Sequence, residues 1–279
     1  MTRHLFHVHV PASLLPKHWP LLRDLPVGLE ILLDHESLDS TFLPMLKDYS
    51  ERVRNQGRPC RIHAPFRDLR PAGQDPAAVD LARERLQAAL DWAPAFGART
   101  LVVHTSWEAR WDILEREEWL DRSLEFWTSF QKTLQEGELR FAFENVDDRS
   151  PDLLADLLSS LDPRTFGVNF DTGHWNVASE ASLEDWFARL SGRLFSLHIH
   201  DNGGEMDEHL AVGQGTFPWD DFYSRVRALD CPLEWTVENR AASDILESAR
   251  HVARFSGLEE FSSLASDLKS ALEKAEGAS

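Results

Sequence analysis
The chain has 279 residues, 42% of them hydrophobic and 27% charged, a composition that belongs to folded globular domains and excludes an intrinsically disordered chain. Its 29 Lys and Arg against 47 Asp and Glu leave a net charge of −18, and with no Lys/Arg-rich run that field repels nucleic acid and anionic membranes. No stretch reaches the ~18 apolar residues that cross a bilayer, and the opening residues lack the apolar core of a signal peptide, so the cytoplasm is the expected compartment.

Short apolar or β-branched runs alternate with helical patterns along the chain. The first runs are Leu5–Val10, Val27–Leu33 and Cys60–Ala64. Asp75-Pro76 then places an N-cap acceptor before a proline suited to the first helical turn, and Val79, Ala82, Leu86, Leu90, Ala93 and Phe96 follow at helical spacing up to Gly97. Thr100–His104 and Leu139–Glu144 are the next strands, and Ser150-Pro151 repeats the start signal. After Phe166–Asp171, Ser182 with Asp185 resembles a capping box, with Asp in place of the usual Glu or Gln. Leu194–Ile199 and Leu233–Glu238 complete the strands, and Leu258, Phe261, Leu264, Leu268 and Leu272 mark the apolar stripe of a final helix over about 257–275.

Eight strand-helix repeats without a low-complexity linker predict α/β architecture, a single (β/α)8 barrel over residues 1–279, with a doubly wound open sheet as the alternative. Cys60 and Cys231 form no Cys-x-x-Cys pair and read as reduced thiols. In either architecture ligands gather at the carboxyl ends of the strands.

Those ends carry a series of metal-capable side chains: His63, His104, Glu144, Asp171 followed by His174, His198 and Glu238, with Asp207-Glu208-His209 in the loop after the seventh strand. Each alone has an ordinary explanation as a helix cap, an ion pair or a satisfied polar residue. Together they would crowd like charges into a low-dielectric volume, a conflict that a divalent cation removes. Imidazole and carboxylate donors without thiolate suit Zn, Mn, Fe or Co.

This series, with Asn169-Phe-Asp-Thr-Gly-His174, His198-Ile-His-Asp201 and Asp207-Glu-His-Leu-Ala-Val-Gly-Gln-Gly215, resembles the xylose isomerase-like TIM-barrel superfamily over about residues 5–240, and most of all its sugar phosphate isomerase/epimerase group. The resemblance implies one to three divalent ions per chain, zinc or manganese, and a sugar or phosphorylated small molecule as substrate. In the epimerase branch the positions matching Glu144, Asp171, His198 and Glu238 hold one metal, both glutamates move the proton, and the position of His174 contacts substrate. The arginine that this branch carries after the strand-seven histidine is missing, since Asp201-Asn202-Gly203-Gly204 follows.

The endonuclease IV branch implies a second chemistry, a multinuclear phosphoesterase that includes abasic-site nucleases. Its three zinc sites would be His63, His104 and Glu144; Glu144, Asp171, His198 and Glu238; and His174, Asp207 and His209. The ligand count favours this branch, and the charge of −18 opposes a DNA substrate. A metal-binding barrel without turnover is the third reading.

Other residues extend the expected mouth. Trp107, Trp111 and Trp175 could stack on a sugar ring. His200 is expected to turn away from His198 toward the barrel wall or, at the strand's end, to reach substrate. His7 and His9 share a face of the first strand. Glu30 either orients a ligand histidine as an outer acceptor or packs against an arginine. Gly213-Gln214-Gly215 is either a tight turn or a phosphate cradle, and no P-loop, Rossmann fingerprint or Ser-His-Asp order appears.

Overall fold
The computed structural model describes residues 4–108, 116–229 and 231–277. Its eight strands are β1 (Leu5–Pro11), β2 (Gly28–Leu32), β3 (Cys60–His63), β4 (Thr100–His104), β5 (Arg140–Glu144), β6 (Phe166–Asp171), β7 (Leu194–Ile199) and β8 (Glu234–Val237). They pair in sequence order, all parallel, and β8 closes on β1. The open sheet is thereby excluded, and each predicted strand lies within two residues of its expected place.

Two packed regions follow from the strand period of two. Side chains facing the helices are apolar: Phe141, Phe143, Phe166 and Phe170 are buried, and Trp127 sets its ring edge-on to Phe141 and Phe143 with centroids 5.7 and 4.9 Å away. The alternate residues face the barrel axis, and there the chain is polar. Arg61 on β3 reaches across to Asn169 on β6 (3.2 Å) and Ser196 on β7 (3.0 Å). Lower in the barrel the Thr100 hydroxyl donates to Glu234 at 2.8 Å and Arg140 pairs with the same carboxylate at 3.2 Å. His7 also lies inside, fully buried, its Nδ1 3.2 Å from the Trp235 carbonyl, and burial pushes its imidazole down to about 4. Glycine at position 28 makes room for it, because a Cβ there would stand 2.3 Å from the His7 ring.

The helix signals are met with small shifts. The helix Pro76–Phe96 starts on Asp75, whose carboxylate accepts the Ala77 N–H at 3.0 Å, and stops at Gly97, whose φ of +72° suits glycine. Both arms of the Ser182/Asp185 capping box are present. After Ser150-Pro151 the helix begins at Asp152, one residue past the proline. The terminal stripe is broken into two pieces: Glu259–Phe261 is a 3₁₀ turn and the α-helix runs Leu264–Gly277, so Leu258 and Phe261 lie outside it. Phe261 is nonetheless buried, edge-on to Phe6. Cys60 is a buried thiol. Among the described residues no helix is long and apolar enough to cross a membrane.

Replacing Asp75 with Ala leaves the start of the longest barrel helix uncapped and is expected to cost about 1 kcal/mol, or roughly 2–4 °C in melting temperature. Asp75→Ser should keep most of that stability. Equal melting temperatures for Asp75→Ala and the parent would show that the cap contributes nothing.

Candidate metal centre
The strand ends deliver six donors to one opening. Glu144 on β5 is the hub: its Oε2 lies 3.4 Å from His63 Nε2, 3.4 Å from His104 Nε2 and 3.3 Å from His198 Nδ1, while Oε1 lies 3.1 Å from His174 Nδ1. From the other side of the barrel, Glu238 Oε1 comes within 3.1 Å of the same His198 Nδ1. Asp171 caps the short helix Thr172–Ala178, accepting the His174 N–H at 2.7 Å on Oδ1, and keeps Oδ2 3.7 Å from His198 Nδ1.

Asp207 and His209 arrive on the loop after β7, with Asp207 Oδ2 2.9 Å from His209 Nε2 and 3.6 Å from His174 Nε2. That loop is fixed by buried Asp201. Its two oxygens accept N–H groups from Asn202, Gly213 and Phe217 and the Trp219 indole N–H, at 2.7–3.2 Å. The Gly213 and Gln214 amides are spent inside the turn, on Asp201 and the Ala211 carbonyl, so the tight-turn reading of Gly213-Gln214-Gly215 holds.

The donor set fits a cation. Nδ1 of His63, His174 and His209 lies 2.9, 3.1 and 2.9 Å from the carbonyl oxygens of Ala64, Asn145 and Glu238. A carbonyl only accepts, so each Nδ1 carries the proton and each Nε2 turns its lone pair toward a carboxylate. Buried His104 Nε2, Glu144 Oε2 and His198 Nδ1 have no hydrogen-bond partner. Lone pairs facing carboxylates repel unless a proton or a metal lies between them. Ligand atoms of His63, His104 and Glu144 lie within 4.8 Å of one another, as do those of Glu144, Asp171 and His198. His174, Asp207 and His209 meet through Asp207 alone, and the closer group at that edge is His200, His209 and Glu238.

Charge follows the same geometry. Burial pushes the Glu144 carboxyl up, but His198 and His104 outweigh it and hold the group well below the usual carboxylate range. Burial pushes His198 and His174 down, yet Glu238 and Glu30 on the one and Asp171 and Asp207 on the other raise both well above ordinary histidine. The site therefore takes up positive charge in any form offered.

His200 does not turn away from His198. Residues two apart on a strand share a face, and His200 is fully buried, with Nε2 3.2 Å from Asp171 Oδ2 and its ring stacked on His209 at 4.2 Å. Gly173 leaves it room, since a Cβ there would lie 1.9 Å from the ring. Glu30 packs against an arginine, 3.0 Å from Arg61 Nη2, and its other oxygen stands 2.8 Å from His198 Nε2. Trp107 sits edge-on to Trp119 and lines a cavity of about 720 Å³ with Phe66, Arg70 and His104. Trp175 packs edge-on to Phe217, and Trp111 lies outside the described residues.

Sequence reasoning passed over Asn145, whose side chain accepts the Asp171 N–H and donates to the Asp171 carbonyl. It also undervalued His9, which meets Glu30 and Glu238 within 4.8 Å. Position was the available signal: Asn145 follows Glu144 directly, and His9 lies at the mouth end of β1.

A closed parallel barrel that gathers imidazoles and carboxylates at its carboxyl mouth is a barrel with a candidate metal-binding site. The chain belongs to the xylose isomerase-like TIM barrel family, which it matches over residues 27–255. The uncharacterized protein MJ1311 of Methanocaldococcus jannaschii is 24% identical over 194 residues, 67% of this chain and 66% of that protein. The uncharacterized protein y4fM of Sinorhizobium fredii is 26% identical over 177 residues, 61% and 57% of the two chains. The match thus spans less than two thirds of the length of either relative.

Solved structures share the fold across nearly their whole length. A D-tagatose 3-epimerase-like protein superposes with a TM-score of 0.74 at 20% identity, covering 98% of this chain and 99% of that one. The TTHB071 protein from Thermus thermophilus, soaked with ZnCl2, gives 0.73 at 21% identity, covering 96% and 98%. An L-ribulose 3-epimerase gives 0.69 at 16% identity, covering 100% and 98%.

Beside the centre, Asp148 is 4% exposed, accepts the Val146 N–H on Oδ2 at 3.0 Å and has no hydrogen-bond partner for Oδ1. Burial, reinforced by Asp147, pushes its carboxyl up to about 7 from an ordinary 3.8. The folded chain therefore holds this proton more tightly than the unfolded chain. The stability it supports is complete below about pH 4, falls as pH rises, and is lost above about pH 7. Asp148→Asn should consequently raise the melting temperature of metal-free protein by several degrees near pH 8 and by less near pH 5. An equal gain at both pH values would contradict a buried, protonated carboxyl.

Proposed function
We propose that the protein is a divalent-metal-dependent isomerase or epimerase of a sugar or sugar phosphate, with Glu144 and Glu238 as the proton-transferring pair. The observation that carries this reading is their approach to His198 Nδ1 from β5 and from the end of β8, at 3.3 and 3.1 Å. Two carboxylates on opposite sides of one opening can address opposite faces of a bound carbon acid. The likeness in fold to sugar 3-epimerases supports the same reading.

Glu144, Asp171, His198 and Glu238 would hold the principal ion, zinc or manganese. When bound, such an ion supplies Lewis-acid polarisation of a substrate carbonyl and its neighbouring hydroxyl. One glutamate removes the proton from the adjacent carbon and the other returns it to the opposite face, inverting that carbon. Glu144 meets imidazoles at 3.1–3.4 Å on both oxygens, whereas Glu238 meets His198 at 3.1 Å on Oε1 and His209 at 3.8 Å on Oε2. His174 is positioned to contact substrate hydroxyls, and His104, Phe66 and Trp107 line the cavity that would receive the sugar. Two aromatic rings among charged side chains such as Asp68, Arg70, Glu108 and Arg149 suit a polyhydroxylated ring, which has both C–H and O–H surfaces.

A second reading rests on the bridging position of Glu144. Its Oε2 faces His63 and His104 as well as His198, so His63, His104 and Glu144 would hold a second ion, as in a multinuclear phosphoesterase of the endonuclease IV type. Clustered ions would then act on a phosphate ester. Metal analysis separates the readings: one ion per chain favours the isomerase, and two or three favour hydrolysis.

In the proposed reaction, metal-loaded protein should exchange carbon-bound hydrogen of its sugar substrate with deuterated water. Glu144→Gln and Glu238→Gln should each slow that exchange by roughly 10²–10⁴-fold. Absence of exchange across a broad panel of free and phosphorylated sugars, with cleavage of phosphate esters instead, would replace this reading with the second.

A further inference from the structure
Beneath the donor cluster, and joined to it through His198, lies a buried chain of contacts. Glu30 on β2 and Arg61 on β3 are register partners, and both are fully buried. Glu30 divides its oxygens: Oε2 receives Arg61 Nη2 at 3.0 Å and the Thr236 hydroxyl at 2.8 Å, whereas Oε1 faces His198 Nε2 at 2.8 Å. Arg61 is itself anchored by Asn169, Ser196 and the Glu234 carbonyl at 3.0–3.2 Å. His198 Nδ1 points the other way, toward Glu144 and Glu238.

We propose that Arg61 is a positioning residue that acts through Glu30: it fixes which carboxylate oxygen meets His198, keeps the proton on His198 Nε2, and so reserves Nδ1 as the ligand atom. Both oxygens of ionised Glu30 only accept, so the His198 nitrogen that faces it is the one that carries the proton, and Arg61, which has donors only, holds the carboxylate ionised and turned with Oε1 on His198. A threonine hydroxyl can donate or accept and imposes no such choice. The asymmetry gives the pair a directional role beyond charge compensation. It rests on the metal-binding part of the reading above and is independent of the substrate.

Glu30→Gln tests the directional role. Arg61 would force the amide oxygen toward itself and turn the amide NH₂ onto His198 Nε2, where two donors meet. His198 would then carry its proton on Nδ1 and lose its ligand lone pair. Outer partners of ligand histidines typically change metal affinity 10–100-fold, and a loss of that size in zinc affinity, measured by chelator competition, is expected for Glu30→Gln. Adding Arg61→Met frees the amide to reverse, with its oxygen on His198 and its NH₂ on Thr236. The double variant should bind zinc more tightly than Glu30→Gln alone, although it has lost more native contacts.

Nitrogen-15 shifts of zinc-loaded wild-type protein give a measurement that needs no variant to fold, and should show a protonated Nε2 and a metal-bound Nδ1 at His198. Metal on Nε2, unchanged affinity in Glu30→Gln, or a folded double variant weaker than the single would each overturn the role of Arg61 while leaving the metal centre standing. Wild-type protein that binds no zinc or manganese would overturn the metal centre and this role with it.

Discussion
The constraint on which the mouth of this barrel depends is the repulsion among its own carboxylates. Glu144, Asp171 and Glu238 all lie within 3.7 Å of one ring nitrogen of His198, in a setting almost without solvent. A column of alternating charge continues below them along the barrel axis. Arg140 meets Glu234 at 3.2 Å, Glu234 lies 4.0 Å from Arg61, Arg61 meets Glu30 at 3.0 Å, and Glu30 meets His198 at 2.8 Å. Each charge is flanked by its opposite, so the interior can be ionic without an isolated ion in low dielectric. Only the top of the column is left with an excess of negative charge, and that is where a cation fits.

An ionic interior explains why the fold puts its apolar bulk elsewhere. Phenylalanine and tryptophan fill the layer between strands and helices, where Phe141, Phe143, Phe166 and Trp127 pack ring against ring. The barrel axis takes Arg61, Asn169, Ser196 and Thr236, all fully buried. Their side chains hold strands that are not neighbours in the sheet at fixed separations, which sets the spacing of the donors above.

Much of this was legible in the chain itself. The strand-helix repeat and the residue types at strand ends were enough for the barrel and for bringing His63, His104, Glu144, Asp171, His198 and Glu238 to one opening, because parallel strands leave their carboxyl ends on the same side. The partner of Arg61 was not legible, because it depends on which residues face one another across the axis. The period of two sets His200 on the face of His198, which removes the barrel-wall alternative for it. The break between Leu258 and the last helix escaped because the apolar spacing continues through a 3₁₀ turn. The grouping of His200 with His209 depends on a loop whose path no periodicity describes.

The nine donors differ in what carries them. Those at the centre ride on or directly beside hydrogen-bonded strands of a closed barrel, while Asp207 and His209 ride on a loop held from outside by the side chains of Asp201, Asn239 and Ser248. Mutational drift in that loop can add, move or remove the outer donors without disturbing a strand, so lineages sharing this barrel can diverge in the chemistry they perform by rewriting one turn.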